Sequence, residues 1–430
     1  PNGSIAVYVY DNSSNLTQIR HYKGTKTLAQ INYTYDPINN RSNRTDTYAS
    51  ASFIYDNVSR LTNTTNENYT YDGVGNRLTG PLSSESMTYS TGNEQLNINA
   101  ATYEYDLNGN RIRKTESGVI TTYAYDDENR LRQITKGTTT VTYSYDPFGR
   151  RIQKNVKGTI TQYVYDNEDI VIECATNGTL KARYTHGPGM DEPLGLQKGT
   201  TNYYYHADGL GSIVALTNTK GASAQLYRYD SFGRITQSGS VVQPYTYTAR
   251  EYDTETGLYY YRARYYDPKA GRFITRDPIL HPSTGNSKGC RGSSLAYQNG
   301  APSFEDLQRN PQNLNTYAYA INNPINFDDP LGLACGSGWK QIFVPDNWFG
   351  WYSFEGPCST HDDCYGCEGK KMGKSQETCD AEFYSDMKST CNSLPRGAYW
   401  RNHCNGTASI YYDYVRKNGK PYFDKARKEC

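Results

Sequence analysis

Tyr103-Glu104-Tyr105-Asp106-Leu107-Asn108-Gly109-Asn110-Arg111-Ile112-Arg113 is the stretch that decides the fold. Its two tyrosines stand two apart, so in an extended chain they project from one face of a strand. Asp106, Asn108, Gly109 and Asn110 supply turn chemistry: short polar side chains bond their own backbone, and glycine takes positive φ without a steric penalty. Arg111 then opens a second strand. The phrase reads as one β-hairpin, and it recurs. Tyr8-Val9-Tyr10-Asp11, Tyr33-Thr34-Tyr35-Asp36 and Tyr69-Thr70-Tyr71-Asp72 precede it; Tyr123-Ala124-Tyr125-Asp126, Tyr143-Ser144-Tyr145-Asp146 and Tyr163-Val164-Tyr165-Asp166 follow. From Tyr103 onward the period is about 20 residues, the lower end of repeat-protein periods. A hairpin this small cannot bury its own apolar face, so copies must stack on their neighbours. The expectation is an all-β strip whose tyrosines and arginines pack and ladder rather than bind ligands.

Composition agrees with that reading and divides the chain. With 430 residues, two or three domains are expected. A mean hydropathy of −0.83 would suggest disorder, but 43 of the residues are Tyr against 11 Phe, and Tyr, Thr, Val and Ile favour strands. A net charge of only +1 argues against a dedicated nucleic-acid binder, so no nucleic-acid partner is expected. No apolar run of about 18 residues is present to span a membrane as a helix. The chain opens Pro1-Asn2-Gly3-Ser4 inside a repeat and reads as a piece of a longer protein. Of 10 cysteines, Cys174 and Cys290 alone precede residue 334, and eight follow it. Three segments are expected: a repeat strip over 1–249, a closing segment over 250–333 and a cysteine-rich domain over 334–430.

The repeats resemble the YD-repeat family: rearrangement-hotspot (Rhs) proteins, the shell subunits of insecticidal toxin complexes, and teneurins. The resemblance covers about residues 1–333 and implies a β-sheet strip spiralling into a hollow cocoon. Arg250-Glu251-Tyr252-Asp253-Thr254-Glu255-Thr256-Gly257-Leu258, Tyr261-Arg262-Ala263-Arg264-Tyr265-Tyr266-Asp267-Pro268 and Gly271-Arg272-Phe273 resemble the signature that closes the Rhs core. Asp277-Pro278, Asn322-Asn323-Pro324 and Asp329-Pro330-Leu331-Gly332-Leu333 follow. In that family two Asp-Pro-x-Gly motifs form an aspartyl-protease-like site that cuts after the Leu of the second motif. The resemblance therefore implies Asp277 and Asp329 as the pair and Leu333–Ala334 as the bond. Two facing carboxylates can share a proton, one activating water while the other protonates the leaving amine. The first motif departs from the pattern, reading Asp277-Pro278-Ile279-Leu280, and a Ser/Gly/Asn-rich insertion from about His281 to Asn310 separates the two. The alternative is that both Asp-Pro pairs only form turns.

Residues 334–430 hold Cys335, Cys358, Cys364, Cys367, Cys379, Cys391, Cys404 and Cys430. Eight cysteines in so small a domain read as a disulfide framework built for an oxidising compartment, each bridge contributing about 2–4 kcal/mol. Their pairing stays open. Cys358-x-x-His361-x-x-Cys364-x-x-Cys367 also has the spacing of a zinc site. The segments Cys358-Ser359-Thr360-His361-Asp362-Asp363-Cys364, Cys379-Asp380-Ala381-Glu382 and Cys335-Gly336-Ser337-Gly338-Trp339 together resemble secreted phospholipase A2, in order. That resemblance implies a small, mainly α, disulfide-rich hydrolase acting on the sn-2 ester of membrane glycerophospholipids. It implies His361 as general base, Asp380 as its orienting partner, and Asp362 with the carbonyls of Gly336 and Gly338 as calcium ligands. Asp386, six residues beyond Asp380, is expected to face solvent. Trp348, Phe349, Trp351 and Tyr352 suit either a lipid-facing patch or the domain's own core.

Together the resemblances imply an Rhs-type polymorphic toxin whose shell encloses the lipase and releases it by self-cleavage. The expected destination is the periplasm or membrane of a target cell. Expected partners are membrane phospholipid, a cognate immunity protein, and a secretion apparatus or delivery spike. The rival reading is a cell-surface adhesion protein ending in a zinc- or disulfide-stabilised non-catalytic module. A nuclease tip is a further rival, but no matching nuclease motif is present.

Overall fold

The structure, a computed structural model, describes residues 3–47, 50–81, 84–278, 315–333 and 374–392. The chain divides into two compact units, Pro1–Gly336 and Ser337–Cys430. The described part of the first is almost entirely β. A six-stranded sheet runs in chain order from Ser4–Tyr10 to Leu61–Thr64, and a sixteen-stranded sheet from Met87–Tyr89 to Ile235–Gly239. Every strand in both is antiparallel to its sequence neighbours, as stacked hairpins require. Isolated bridges at Asn63–Asn68, Tyr71–Arg77 and Thr79–Ser86 carry the pairing across the interval between the sheets.

Each member of the repeated phrase has a separate task. The first tyrosine fills the core: Tyr33, Tyr69, Tyr103, Tyr123, Tyr143 and Tyr163 are all 8% exposed or less. Tyr8 and Tyr10, on the edge strand, stay half exposed. The second tyrosine reaches back one hairpin and donates to the carbonyl of the residue that opens that hairpin's return strand. Tyr35 bonds Leu16 at 2.7 Å, Tyr125 bonds Arg111 at 2.8 Å, Tyr145 bonds Leu131 at 2.6 Å and Tyr165 bonds Arg151 at 2.9 Å. The aspartate builds the turn. Asp126 Oδ1 accepts the Glu128 and Arg130 amides at 3.1 and 2.9 Å, while its Oδ2 accepts Arg130 Nε at 2.8 Å. The loop ends on Asn129 in the left-handed region (φ 59°), and the register shifts at Ala124/Tyr125. This is a three-residue hairpin loop with its bulge.

Two features hold the strip together across its length. His21 of the six-stranded sheet packs edge-on to His206 of the sixteen-stranded one, with ring centroids 4.9 Å apart, and its Nε2 bonds the Ala207 carbonyl at 2.9 Å. Ile19, Ile31 and Tyr33 pack with Val214 in the same seam. The second feature is a four-stranded sheet, Glu251–Asp253, Leu258–Tyr261, Arg264–Asp267 and Arg272–Phe273. Tyr259, Tyr260, Tyr261, Tyr265, Tyr266 and Phe273 in it are all 3% exposed or less. Buried ion pairs fasten it to the strip: Arg111 meets Asp267 at 2.7 Å and Arg151 meets Asp253 at 2.6 Å. Lys154 joins Asp253 at 2.9 Å, and the Tyr143 hydroxyl donates to it at 3.0 Å.

The described part of the second unit is one helix, Gln376–Asn392. Ser375 caps it, its hydroxyl accepting the Thr378 amide at 3.2 Å. Among its described side chains Cys379 and Asp380 are buried, and Cys379 is disulfide-bonded. Among the described residues no helix is long and apolar enough to cross a membrane.

Candidate functional sites

The closing sheet leads directly into the two Asp-Pro motifs. Asp277 follows its last strand, and Asp329 belongs to the segment 315–333, which returns to the same place. That segment is anchored by polar contacts to the turns of the strip. The Tyr317 hydroxyl donates to the Gly109 carbonyl at 2.8 Å, Asn322 Nδ2 to Gly75 at 2.8 Å, and Arg41 Nη1 to the Ile325 carbonyl at 2.7 Å. The result brings Asp277 and Asp329 onto one guanidinium. Arg264 Nη2 lies 3.0 Å from Asp277 Oδ2 and 3.2 Å from Asp329 Oδ2. The side chains of Arg264 and Asp277 are fully buried, and that of Asp329 is 11% exposed. Burial pushes the Asp329 carboxyl above the usual range; Arg264 pulls it back and Asp277 adds to the rise.

The peptide around Leu333 is fixed at the same point. The Leu333 amide donates to Asp329 Oδ1 at 2.9 Å, and Arg264 Nε donates to the Gly332 carbonyl. Gly332 itself has φ of 65°, and a Cβ there would stand 2.2 Å from the Tyr261 carbonyl oxygen. Glycine is therefore required on both conformational and steric grounds. Leu331, Leu333, Pro278 and Arg264 line part of a cavity of about 610 Å³. Leu280, which stands where the first motif would carry glycine, lies outside the described residues together with Ile279 and the insertion.

In the second unit Asp380 is 1% exposed, and its Oδ2 accepts Gln376 Nε2 at 3.2 Å. Asp386 sits about 240° further round the helix. Expected to face solvent, it is instead partly buried, so it does not stand on a fully solvated face. Cys391 falls in the same helix. His361, Asp362, Gly336, Gly338, Cys335, Cys358, Cys364, Cys367, Cys404 and Cys430 lie outside the described residues, as do Trp348, Phe349, Trp351 and Tyr352. The alternative zinc set therefore lies outside them too.

Against this geometry, the family model for the teneurin YD-shell matches residues 49–325. The chain belongs to the YD-shell family. A second model, prokaryotic phospholipase A2, matches residues 294–419, beginning ahead of the boundary expected at Ala334 and overlapping the shell match. The chain is similar to the tRNA3(Ser)-specific nuclease WapA of Bacillus spizizenii, 32% identical over 75% of this chain, and to the tRNA nuclease WapA of Bacillus subtilis, 33% identical over 75%. The chain spans 12% of the length of each of these relatives. Among solved structures it resembles the Photorhabdus luminescens Tc holotoxin pore, with a TM-score of 0.58 and 18% identity over 77% of this chain and 18% of that one. The TcdB2-TccC3 structure is similar at a TM-score of 0.57 and 19% identity, over 77% of this chain and 19% of that one. At those identities the likeness is one of fold.

Arg264, which joins Asp277 to Asp329, and Asn322, which anchors the 315–333 segment to Gly75, were given no role by sequence reasoning. The available signal was an arginine inside an aromatic run, where only a paired charge is tolerated.

Proposed function

We propose that the chain is part of a YD-repeat toxin and that its residues 334–430 form a calcium-dependent phospholipase A2. The prokaryotic phospholipase A2 match over residues 294–419 carries this reading. The buried Asp380 beside the disulfide-bonded Cys379 supports it. In the proposed reaction His361 takes a proton from water, a task suited to an imidazole that titrates near neutral pH. Asp380 hydrogen-bonds the other ring nitrogen, fixing its tautomer and stabilising the imidazolium. Asp362 and the carbonyls of Gly336 and Gly338 are all hard oxygen donors, a set that fits calcium. Bound there, the ion would supply Lewis-acid polarisation of the ester carbonyl. The eight cysteines serve as the framework that holds these groups. Fatty-acid release from mixed phospholipid vesicles by the full chain tests the reading. It should require calcium, stop with chelator, and fall about 10²–10⁴-fold in His361→Ala. Equal release by that variant would sink it.

The same proposal includes self-cleavage between Leu333 and Ala334. A water oxygen bonds the Leu333 carbonyl carbon, and one aspartate takes the water's proton. The other, protonated, gives its proton to the Ala334 nitrogen as the C–N bond breaks. The convergence of Asp277 and Asp329 on Arg264 supports it, as does the hold on Leu333. Intact mass of the expressed chain should give two pieces, and one piece in Asp329→Asn. Delivery to a target cell's periplasm or membrane, enclosure by the shell, a cognate immunity protein and a delivery apparatus belong to the same reading, supported by YD-shell membership. The WapA names favour one rival, tRNA cleavage, and an RNA degradation assay on the same preparation separates the two.

A further inference from the structure

We infer that the edge of the sixteen-stranded sheet bearing Lys136, Lys157, Lys198 and Lys220 is a docking surface for an anionic phospholipid bilayer. The hairpins of the strip have two kinds of turn, one along each edge. The aspartate turns neutralise themselves, since Asp126, Asp146 and Asp230 each pair with an arginine four residues on. Turns along the other edge close at Lys136–Thr139, Val156–Thr159, Cys174–Leu180, Lys198–Thr201 and Thr217–Ser223. Four of these five carry an exposed lysine: Lys136, Lys157, Lys198 or Lys220. Among the described residues, lysine ion pairs are made by Lys114, Lys154, Lys269 and Lys374, and by none of these four. Glu173, the carboxylate nearest to these turns in sequence, is taken up by the Tyr184 hydroxyl at 2.9 Å. Successive turns are two strands apart, about 10 Å, so the row extends for about 40 Å. The six-stranded sheet lengthens it. Lys23 and Lys26 donate to the carbonyls of Thr219 at 2.6 Å and Gly221 at 3.3 Å, on either side of Lys220.

Turn geometry does not account for the lysines. Ser117-Gly118 has φ of 50° and 76°, and Lys157-Gly158 has 50° and 90°. The same turn therefore forms with serine in place of lysine. What the row does create is a line of unneutralised ammoniums, and each lysine near an anionic leaflet strengthens partition roughly fivefold. Exposed aliphatic side chains share the edge. Val119, Ile120 and Leu180 are 43–51% exposed, and Val242, whose carbonyl accepts Lys198 Nζ at 2.7 Å, is 72% exposed. Apolar area beside cationic groups is the combination that settles at the boundary between headgroups and acyl chains. The same chemistry disfavours a nucleic acid. Lys136-Gly137-Thr138-Thr139 and Lys198-Gly199-Thr200-Thr201 offer no ring on which a base could stack. Lysine also meets phosphate as a point charge, without the fork by which arginine reads a base edge. The inference goes beyond the phospholipase reading, because it assigns lipid contact to the shell and needs no hydrolysis.

The test is sedimentation of the full chain with phosphatidylcholine vesicles, plain or containing about one third phosphatidylserine. Calcium is chelated throughout. Wild type should bind the anionic vesicles at least 10²-fold more tightly than the neutral ones, and about 0.5 M salt should release it. Changing Lys136→Gln, Lys157→Gln and Lys198→Gln together should weaken anionic binding roughly 10²-fold at unchanged Tm, while the three lysine-to-arginine changes should preserve it. Taking the same net charge from exposed strand positions, with Arg113→Gln, Arg132→Gln and Arg183→Gln, should cost less than about fivefold. Absence of wild-type binding, or equal losses in the two triple glutamine variants, would overturn the inference. So would tRNA that displaces the vesicles through the same lysines, since the partner would then be a nucleic acid. His361→Ala should bind as wild type does, so this inference and the hydrolase reading fail separately.

Discussion

The turns of the strip and the closing sheet use the same ion pair for different ends. In the turns, Arg130 meets Asp126 and Arg150 meets Asp146, each at 2.8 Å, four residues apart in sequence and with side chains 13–29% exposed. In the closing sheet, Arg111 meets Asp267 at 2.7 Å and Arg151 meets Asp253 at 2.6 Å, with side chains no more than 7% exposed. The partners there are more than a hundred residues apart. Exposed pairs are worth roughly 0–1 kcal/mol, because solvent screens them. Buried pairs add little over an apolar substitute, yet losing one partner strands a charge and costs about 3–5 kcal/mol. The turn pairs therefore shape a loop locally, while the buried pairs make the closing sheet conditional on the strip. The same two residue types encode secondary structure in one place and topology in the other.

That contrast can be broken by measurement. Arg151→Ala should destabilise the protein by about 3–5 kcal/mol in denaturant melts, leaving Asp253 buried with Lys154 as its remaining cation. A loss under 1 kcal/mol would erase the distinction. The histidine seam comes next. Burial holds His206 down to about 3 and lowers His21 as well. The folded state thus binds fewer protons than the unfolded one, so the stability is complete above about pH 6.5 and is lost as pH falls toward about 3. At pH 5 His206 alone should cost about 2 kcal/mol. His206→Gln should shrink the fall in Tm between pH 7.5 and pH 5, and an unchanged fall would count against the seam. Tyr125→Phe removes a single rung to Arg111 and should cost about 1 kcal/mol. Smallest of all, Arg130→Ala should cost a few tenths of a kcal/mol and respond to salt; insensitivity to salt would show that its packing over Tyr145 matters more.

The hairpins were legible in the sequence because their determinants are local. Tyr-x-Tyr-Asp fixes a face, a turn and a bulge within about ten residues, and the twenty-residue period makes the assignment redundant. The partner of each second tyrosine was not legible, since a backbone carbonyl one hairpin away has no side-chain signature. Nor were the contacts of Arg264, three of whose four acceptors lie more than fifty residues from it along the chain. Gly332 was visible as part of a motif, but its steric reason, the Tyr261 carbonyl, depends on tertiary approach. In the second unit the preference for Asp380 over Asp386 rested on its place beside a cysteine, a local signal, whereas the burial of Asp380 is a tertiary fact with no signature in the sequence.

The backward-reaching tyrosines give the strip a mechanical direction. Each hydroxyl binds its hairpin to the one before, so tension applied at one end loads one unit at a time. A hairpin of about 20 residues releases roughly 65–70 Å of contour when it opens. Pulled at both ends, the strip should therefore yield a sawtooth of near-equal steps. The teeth should be tallest where buried arginines bolt the strip to the closing sheet, at Arg111 and Arg151. Built this way, the molecule resists force as a chain of fasteners with a few welded links.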